Sequence, residues 1–289
     1  MKTAIIIDST AYASREILEH PHIYEVKFRT TFADGFECVD SSDKKDLDFF
    51  YSKLQNESTL PTTSQPSPGP YMALVEEIIE KGYTELICIH LSAGLSGAYQ
   101  TAKIITDDYN KEIKVKVIDS KGASVVIEAM IIQALNMLES NLDFEQICKN
   151  LTWIADNSMI YLTVSDLNNL VKGGRLNQSA AMVANMLSIK PLLCIGSDGK
   201  IQLLEKIRTD KRINRRLTEL AQEAEENFPD GIMLGFAHAV DIERMKIAME
   251  TVAKALPNYQ PITSALGPVI GSHTGAGAIG MGVIPIAKY

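Results

Sequence analysis

Apolar and polar positions along the first half of the chain follow two repeating patterns. Short continuous apolar runs over Ala4–Ile7, Leu86–Leu91 and Ile113–Ile118 are typical of strands buried on both faces of a parallel sheet. A two-residue alternation over Tyr24–Phe32 predicts one further strand. Helical spacing predicts helices over residues 46–56, 71–81, 99–108, 123–138 and 144–156. This alternation of strands and helices predicts a parallel, Rossmann-like α/β sheet that is covered by helices on both faces.

The second half of the chain has a different pattern. Strands are predicted at Met159–Val164, Lys190–Ile195, Lys200–Leu204, Ile232–His238, Pro261–Leu266 and Met281–Ile286, and helices at Asp166–Val171, Ser179–Leu187, Ile213–Glu225 and Ile242–Ala255. The turn signal Ser197-Asp198-Gly199 joins two of these strands into a hairpin. Hairpins beside helices indicate a smaller α+β domain. A chain of 289 residues favours two domains, and we predict them at residues 1–157 and 158–289.

Three stretches that are rich in hydroxyl groups and glycine form a candidate ligand site. Ser92–Gly97 joins an apolar strand to a helix, where free N–H groups and the helix dipole favour an anion. Thr62–Ser67 is a hydroxyl-rich loop in a proline-rich segment, where little regular structure is expected. Gly267–Gly275 is predicted to be a glycine-rich loop. The candidate ligand contacts are Thr62, Thr63, Ser64, Gly94, Ser96, Gly97, Ser272, His273 and Thr274.

The composition argues against several classes of function. Lys and Arg number 28 against 36 Asp and Glu, and the resulting net charge of −8 disfavours nucleic-acid binding. The four cysteines are far apart and lie mostly in apolar patterns, which is typical of reduced thiols in a cytoplasmic protein. No spacing predicts a metal site, and no apolar run is long enough to span a membrane. Gly275–Gly280 matches G-x-G-x-x-G but lacks the following helix and acidic residue of a dinucleotide site, so we predict no cofactor.

A serine hydrolase is the main alternative to a binding protein. Gly94–Ala98 nearly matches the G-x-S-x-G nucleophile elbow and lies between a predicted strand and helix, as an elbow does. Asp119 and His273 follow Ser96 in the chain order of a hydrolase triad. The same turn serves anion binding equally well, and Thr62–Ser64 does not provide an oxyanion-hole glycine run. Hydrolysis of acyl esters by Ser96 and His273 therefore stays open as a hypothesis.

The chain resembles the DegV family of fatty-acid-binding proteins. The resemblance rests on the three stretches above together with Ile7–Thr10, Val117–Ser120 and Leu170–Arg175. These six motifs occur in order along nearly the whole chain. Two positions depart from the family pattern, because Ala98 replaces the more usual Thr and Ala276 replaces the more usual Pro. Both are small residues, so the departures concern the rigidity of the loops.

The resemblance implies a two-domain α/β protein that holds one long-chain fatty acid, with the tail in a buried tunnel and the carboxylate at the domain interface. Thr63 and Ser96 would hold the carboxylate, and His273 would support it directly or through water. Arg175 and Arg208 match family arginines near the head group and the kinase-facing surface. The Met and Ile residues of 123–138 and 182–189 are typical of a protein core, and they could instead line the tunnel, since Met adapts to varied ligand shapes.

The resemblance also implies a carrier, not an enzyme acting alone. In bacteria with a fatty acid kinase, such a protein is the carrier subunit, which presents the acyl carboxylate to the kinase and carries the acyl phosphate away. The expected partners are a long-chain fatty acid, the kinase subunit and, for ligand exchange, a transient membrane contact. A lipid sensor without a kinase partner is a further alternative. The sequence does not predict the preferred chain length or unsaturation.

Overall fold

The computed structural model describes residues 2–177 and 189–289. Its strands are β1 (Thr3–Asp8), β2 (Ile23–Val26), β3 (Arg29–Thr31), β4 (Glu37–Val39), β5 (Thr62–Ser64), β6 (Glu85–His90), β7 (Lys114–Asp119), β8 (Met159–Thr163), β9 (Lys190–Ile195), β10 (Ile201–Ile207), β11 (Ile232–His238), β12 (Ile262–Ala265) and β13 (Ile279–Pro285). The helices in these ranges are α1 (Arg15–Leu18), α2 (Lys44–Asn56), α3 (Pro68–Glu80), α4 (Ala98–Asp107), α5 (Val125–Glu139), α6 (Phe144–Asn157), α7 (Asn168–Lys172), α8 (Asp210–Asn227), α9 (Ile242–Ala255) and α10 (Pro268–Thr274).

The predicted parallel sheet is present in the first half of the chain. Its four strands lie in the order β2-β1-β6-β7 and all run parallel. β1 and β6 are buried along their whole length because they lie in the centre of the sheet. β7, which was expected to be a buried strand, lies at the edge and exposes Lys114 and Lys116. The carboxyl ends of these strands meet at one edge, where open α/β sheets bind ligands.

A six-stranded mixed sheet forms most of the second half. Its order is β10-β9-β8-β13-β11-β12, and only the β11–β12 pair is parallel among the pairs of this sheet. β9 and β10 form the hairpin that the turn signal predicted. The last strand, β13, lies between β8 and β11, so the C-terminal part of the chain completes the middle of the sheet.

A small antiparallel sheet with the order β4-β3-β5 was not predicted. The prediction of one strand over Tyr24–Phe32 is wrong, because β2 belongs to the parallel sheet and β3 to this small sheet. The chain leaves the parallel sheet at Phe28, whose N–H donates to the Ser9 hydroxyl at 3.1 Å. β5 lies in the proline-rich segment and pairs Thr63 with Thr30. Thr63 thereby obtains a fixed position that a loop would not give it.

One apolar core runs from the parallel sheet to the mixed sheet. Helix α5 contacts β6 on one side and β11 and β13 on the other, and it is buried along most of its length. Ile127 and Met130 of this helix belong to one cluster with Ile87 and Ile284, which come from the two sheets. The chain passes from α6 to β8 at residues 157–159, and a domain boundary there stays a prediction.

One predicted element falls outside the described residues. The helix expected over Ser179–Leu187, with Met182 and Met186 as candidate tunnel residues, lies in the segment 178–188. Within the described ranges, no helix has the length and apolar character that a membrane crossing requires.

Candidate functional site

A cavity of about 370 Å³ lies between the carboxyl edge of the parallel sheet and the face of the mixed sheet. Its lining comes from the β6–α4 and β7–α5 loops, from strands of the mixed sheet, and from α7 and α10. Most of the lining is apolar, as Leu95, Ile160, Leu170, Val269 and Met281 illustrate. A largely apolar concave site with a few polar groups is typical of a small-molecule pocket, and the volume lies within the usual range.

Four polar side chains from distant parts of the sequence line this cavity together. They are Thr63 on β5, Ser96 before α4, Arg175 after α7 and His273 on α10. The Thr63 hydroxyl and His273 Nε2 are hydrogen-bonded at 3.0 Å. The Ser96 hydroxyl accepts from the Ala98 N–H at 3.2 Å, so its own proton stays available to a ligand.

Arg175 brings a positive charge to this cluster. Its Nε donates to the Leu95 carbonyl at 3.1 Å, and its Nη1 donates to the Gly173 carbonyl at 2.6 Å. These two hydrogen bonds fix the guanidinium in place. Half-burial lowers the pKa of Arg175, yet it forms no ion pair with any described residue. Arg175 therefore adds a fixed cation to the hydroxyl and N–H groups of this cluster.

His273 is a neutral side chain in this setting. Burial, and then the charge of Arg175, lower its pKa to about 4. Its Nδ1 is buried, has no hydrogen-bond partner among the described residues and lies against Gly173, where a Cβ would collide with the ring. A neutral imidazole that is protonated at Nε2 donates to the Thr63 hydroxyl, which leaves the Thr63 proton available to an anion without adding charge.

The other predicted contacts divide into two groups. Ser64, Gly97 and Thr274 line the cavity with the four side chains above. Thr62, Gly94, Ser272 and Arg208 are outside the lining. Thr62 is exposed on the opposite face of β5, and Arg208 is exposed just before α8. A Cβ at Gly94 would lie 2.5 Å from the Gly199 carbonyl oxygen, so this glycine permits the β9–β10 turn to approach.

The prediction of a glycine-rich loop over Gly267–Gly275 is wrong, because its central part forms helix α10. Pro268 occupies the first turn, where proline favours helix formation. The Ser272 hydroxyl donates to the Pro268 carbonyl at 2.6 Å, which satisfies it within the helix. The helix, not a loop, therefore fixes the position of His273.

Comparison with known proteins places the chain in a family. A sequence model of the DegV family matches residues 2–286. The chain belongs to the DegV family. A DegV domain-containing protein from Staphylococcus aureus is 32% identical over 285 residues, which cover 98% of each chain. A fatty acid binding DegV family protein from Streptococcus agalactiae has a crystal structure with a TM-score of 0.90 to this chain, 29% identity and 99% coverage of both chains.

A second similar crystal structure is that of a protein described by its fatty acid ligand. A stearic acid-binding protein from Eubacterium ventriosum has a TM-score of 0.86 to this chain, with 27% identity and coverage of 99% of this chain and 98% of that one. Among the described residues, no group of His, Cys, Asp and Glu side chains could hold a metal ion.

Ser96, His273 and Asp119 do not form a hydrolase triad in the part of the chain that the structure describes. The Nδ1 of His273 has no partner among residues 2–177 and 189–289, whereas a triad requires a carboxylate there. Asp119 instead accepts from the N–H groups of Ala93 and Lys121, each at 3.0 Å. His273 Nε2 is hydrogen-bonded to Thr63 instead of activating Ser96. The geometry therefore lacks the relay that nucleophilic catalysis by Ser96 needs.

Asp40, which no sequence pattern indicated, holds helix α10 in position. Its buried carboxyl accepts from the Ser9 hydroxyl at 2.9 Å, from the Tyr12 hydroxyl at 3.2 Å and from the Val269 N–H at 2.9 Å. These bonds connect the segment after β1 to the first turn of the helix that carries His273. Asp40 follows a short strand without any motif, so only the folded structure indicates its role.

Asp40 is expected to make folding stability depend on pH. Burial raises the pKa of Asp40 to about 7, although the hydrogen bonds that the carboxyl accepts act to lower this pKa. The folded carboxyl therefore keeps a proton between pH 4 and 7 that the unfolded chain releases, so stability falls as pH rises through this window. The slope is at most about 1.4 kcal/mol per pH unit.

Urea unfolding of the wild type and Asp40→Asn between pH 5 and 7.5 measures this effect. The free-energy difference between the two proteins should change with pH, because Asn keeps the acceptor oxygen and does not titrate. Parallel pH curves for the two proteins would contradict the raised pKa of Asp40.

Proposed function

We propose that this protein binds one long-chain fatty acid, with the carboxylate at Thr63, Ser96, Arg175 and His273 and the tail along the apolar cavity. The observation that carries the proposal is the cavity itself. It is a mostly apolar space in a DegV chain, and its polar side chains include two hydroxyls, a neutral imidazole and an arginine without an anionic partner among the described residues.

The four polar groups suit a carboxylate. An ionised carboxylate only accepts hydrogen bonds. Ser96 can donate, and Thr63 can donate when His273 Nε2–H donates to the Thr63 oxygen. Arg175 supplies a half-buried positive charge, and hydrogen bonds between charged partners are roughly twice as strong as neutral ones. Binding of the anion would also compensate the charge of Arg175, which has no ion pair with the described residues.

The apolar lining suits the acyl tail. Burial of each methylene contributes about 0.8 kcal/mol, so a tail of about 14 methylenes contributes roughly 11 kcal/mol gross. The loss of translational freedom and the ordering of the chain offset much of this. The tail therefore supplies most of the affinity, and the polar side chains fix where the carboxyl end lies. Titration of delipidated protein with stearate tests this function, and saturable binding of one molecule is expected; no binding would refute it.

We further propose that the protein presents the bound carboxylate to a fatty acid kinase in the cytoplasm and receives the acyl phosphate. Two observations support this assignment. Ser64 and Gln65 line the cavity and are exposed, so the polar end of the cavity is near solvent. Arg208 is exposed, lies outside the cavity lining and has no ion pair with a described residue, which leaves it free for a partner protein.

Arg208→Ala is expected to separate binding from presentation. Stearate affinity should stay within about twofold of the wild type, because Arg208 does not line the cavity. Formation of acyl phosphate with a bacterial fatty acid kinase subunit should fall about tenfold or more, since arginine anchors at interfaces often contribute about 2 kcal/mol.

Arg15→Ala is the matched control for Arg208→Ala. Arg15 is an exposed arginine on α1 that pairs only with Glu19 in the described structure, so its loss removes the same charge at a different surface. Kinase-dependent acyl phosphate formation should stay unchanged in this control. Equal losses of stearate binding and phosphorylation in Arg208→Ala would place Arg208 in the lipid site and contradict the assignment.

A further inference from the structure

Ser124, at the start of helix α5, has three unfavourable features at one position in the cavity lining. It is 4% exposed, and its backbone has φ 52° and ψ −124°, a region that residues other than glycine rarely adopt. Such a conformation costs about 1–3 kcal/mol and persists only where the surroundings impose it. Residues with such strained backbones concentrate at functional sites, which makes Ser124 a candidate functional residue.

The first feature is the positive φ of Ser124, and backbone hydrogen bonds on both sides of the residue impose it. Its N–H donates to the Thr10 carbonyl at 2.9 Å, and its carbonyl accepts from the Glu128 N–H at 3.1 Å. The first bond connects the start of α5 to the segment after β1, and the second is the first hydrogen bond of the helix itself. The backbone therefore fixes the direction of the Ser124 side chain. A change of φ to a more usual value would break these two hydrogen bonds.

The second feature is the absence of a helix cap at this serine. Serine at the N-cap usually accepts a hydrogen bond from the N–H of the second or third helical residue, and this contributes about 1 kcal/mol. Ser124 occupies the N-cap of α5, yet its side chain makes no such bond. The hydroxyl therefore does not stabilise the helix terminus as an N-cap serine usually does.

The third feature is that the buried hydroxyl has no partner. Ser124 Oγ makes no hydrogen bond to any residue that the structure describes. The other buried hydroxyl in the cavity lining, that of Thr274, donates to the Ile270 carbonyl at 3.1 Å. Leaving a buried hydroxyl unpaired is unfavourable, and this indicates a partner that comes from outside the chain.

Ser124 lies in a buried and apolar part of the cavity lining. The adjacent Val125 packs directly against Gly282 of β13 and Gly235 of β11, where a Cβ on either glycine would lie within 3.0 Å of its side chain. Ile160 and Met281 line the same cavity from the mixed sheet. The polar end, in contrast, includes the exposed Ser64 and Gln65. A ligand that spans the cavity would therefore pass Ser124 with its tail.

We propose that Ser124 recognises an oxygen substituent on the acyl tail, so that the cavity accepts hydroxy or keto fatty acids with the oxygen at one preferred position. This inference rests on the proposed fatty acid function and specifies its ligand class. A neutral oxygen fits better than a second anion, because Arg175 and His273 already belong to the polar cluster with Thr63 and Ser96. The Ser124 hydroxyl can donate to a keto oxygen, or donate to and accept from a hydroxyl.

The test uses a positional series of monohydroxystearates, with stearate as the reference, titrated into delipidated protein. One isomer is expected to bind at least about fivefold more tightly than the other isomers in the wild type, since a buried hydrogen bond favours that position. In Ser124→Ala the ratio of affinities between this isomer and the others should fall to about one. The ratio is the readout, so a general change in affinity does not affect the conclusion.

Thr163→Val is the matched control. Thr163 also has a buried hydroxyl without a partner among the described residues, but it lies outside the cavity lining. This variant should keep the positional preference. If Ser124→Ala does not fold, Ser124→Gly removes the same hydroxyl and tolerates the positive φ.

The outcomes separate this inference from the proposed function. Stearate binding without any positional preference would overturn the role of Ser124 and leave the fatty acid function intact. A preference that survives Ser124→Ala, or an equal loss for stearate and every isomer, would also overturn it. Failure of stearate and all isomers to bind the wild type would instead refute the proposed function itself.

Discussion

A Thr63→Val, Ser96→Ala double variant should bind stearate at least about 30-fold more weakly than the wild type. Each variant position removes a hydroxyl that lines the cavity beside His273 and Arg175. A buried carboxylate that lacks one donor is destabilised by about 1–3 kcal/mol, so two missing donors lower the binding free energy by roughly 2 kcal/mol or more. Isothermal titration of delipidated protein with stearate measures this loss.

Thr62→Val is the matched control for this experiment. Thr62 precedes Thr63 on the same strand, but it is exposed, outside the cavity lining, and makes only a long 3.4 Å hydrogen bond to the Thr31 carbonyl. Its removal should leave stearate affinity within about twofold of the wild type, as surface substitutions usually do. Similar affinities for the double variant and the control would show that the carboxylate lies elsewhere.

Affinity should rise steeply with the length of the saturated acyl chain. Burial of each added methylene contributes about 0.8 kcal/mol to the binding free energy, which corresponds to a roughly fourfold increase in affinity. From decanoate to hexadecanoate the expected increase is therefore about three and a half orders of magnitude, followed by a plateau when the cavity is full. The cavity lining supports this expectation because it is mostly apolar.

A variant that fills part of the cavity provides the control for the chain-length series. Ala278→Leu adds volume at a buried position of the lining, and it should move the plateau to shorter chains. Ala248→Leu adds the same volume at a buried position of α9 outside the lining, so it should keep the plateau where the wild type has it. Affinities that do not change with chain length would contradict a tail bound in this cavity.

Local sequence patterns predicted the parallel sheet and three segments of the site. β1 and β6 are continuous apolar runs, and such runs are typical of central parallel strands. Thr63, Ser96 and His273 came from three stretches that are far apart in sequence, and the structure places them in one cavity lining. Part of this convergence could be anticipated, because loops after parallel strands meet at one edge of the sheet.

Contacts between distant residues account for what the sequence could not predict. Tyr24–Phe32 reads as one strand, but its halves pair with different partners, and pairing partners are not encoded locally. Asp40 bonds to Val269 across 229 positions, and no local pattern indicates such a bond. Arg175 was expected near the head group only from the family resemblance, because its hydrogen bond to the Leu95 carbonyl joins residues 80 positions apart.

Native mass spectrometry of the protein purified from a bacterial cell, followed by lipid extraction, tests the central claim most directly. The predicted result is one long-chain fatty acid per chain, released on denaturation, with a much lower occupancy in the Thr63→Val, Ser96→Ala double variant. If no acyl chain copurifies with the wild type, and none binds when stearate is added to the purified protein, the fatty acid function is contradicted.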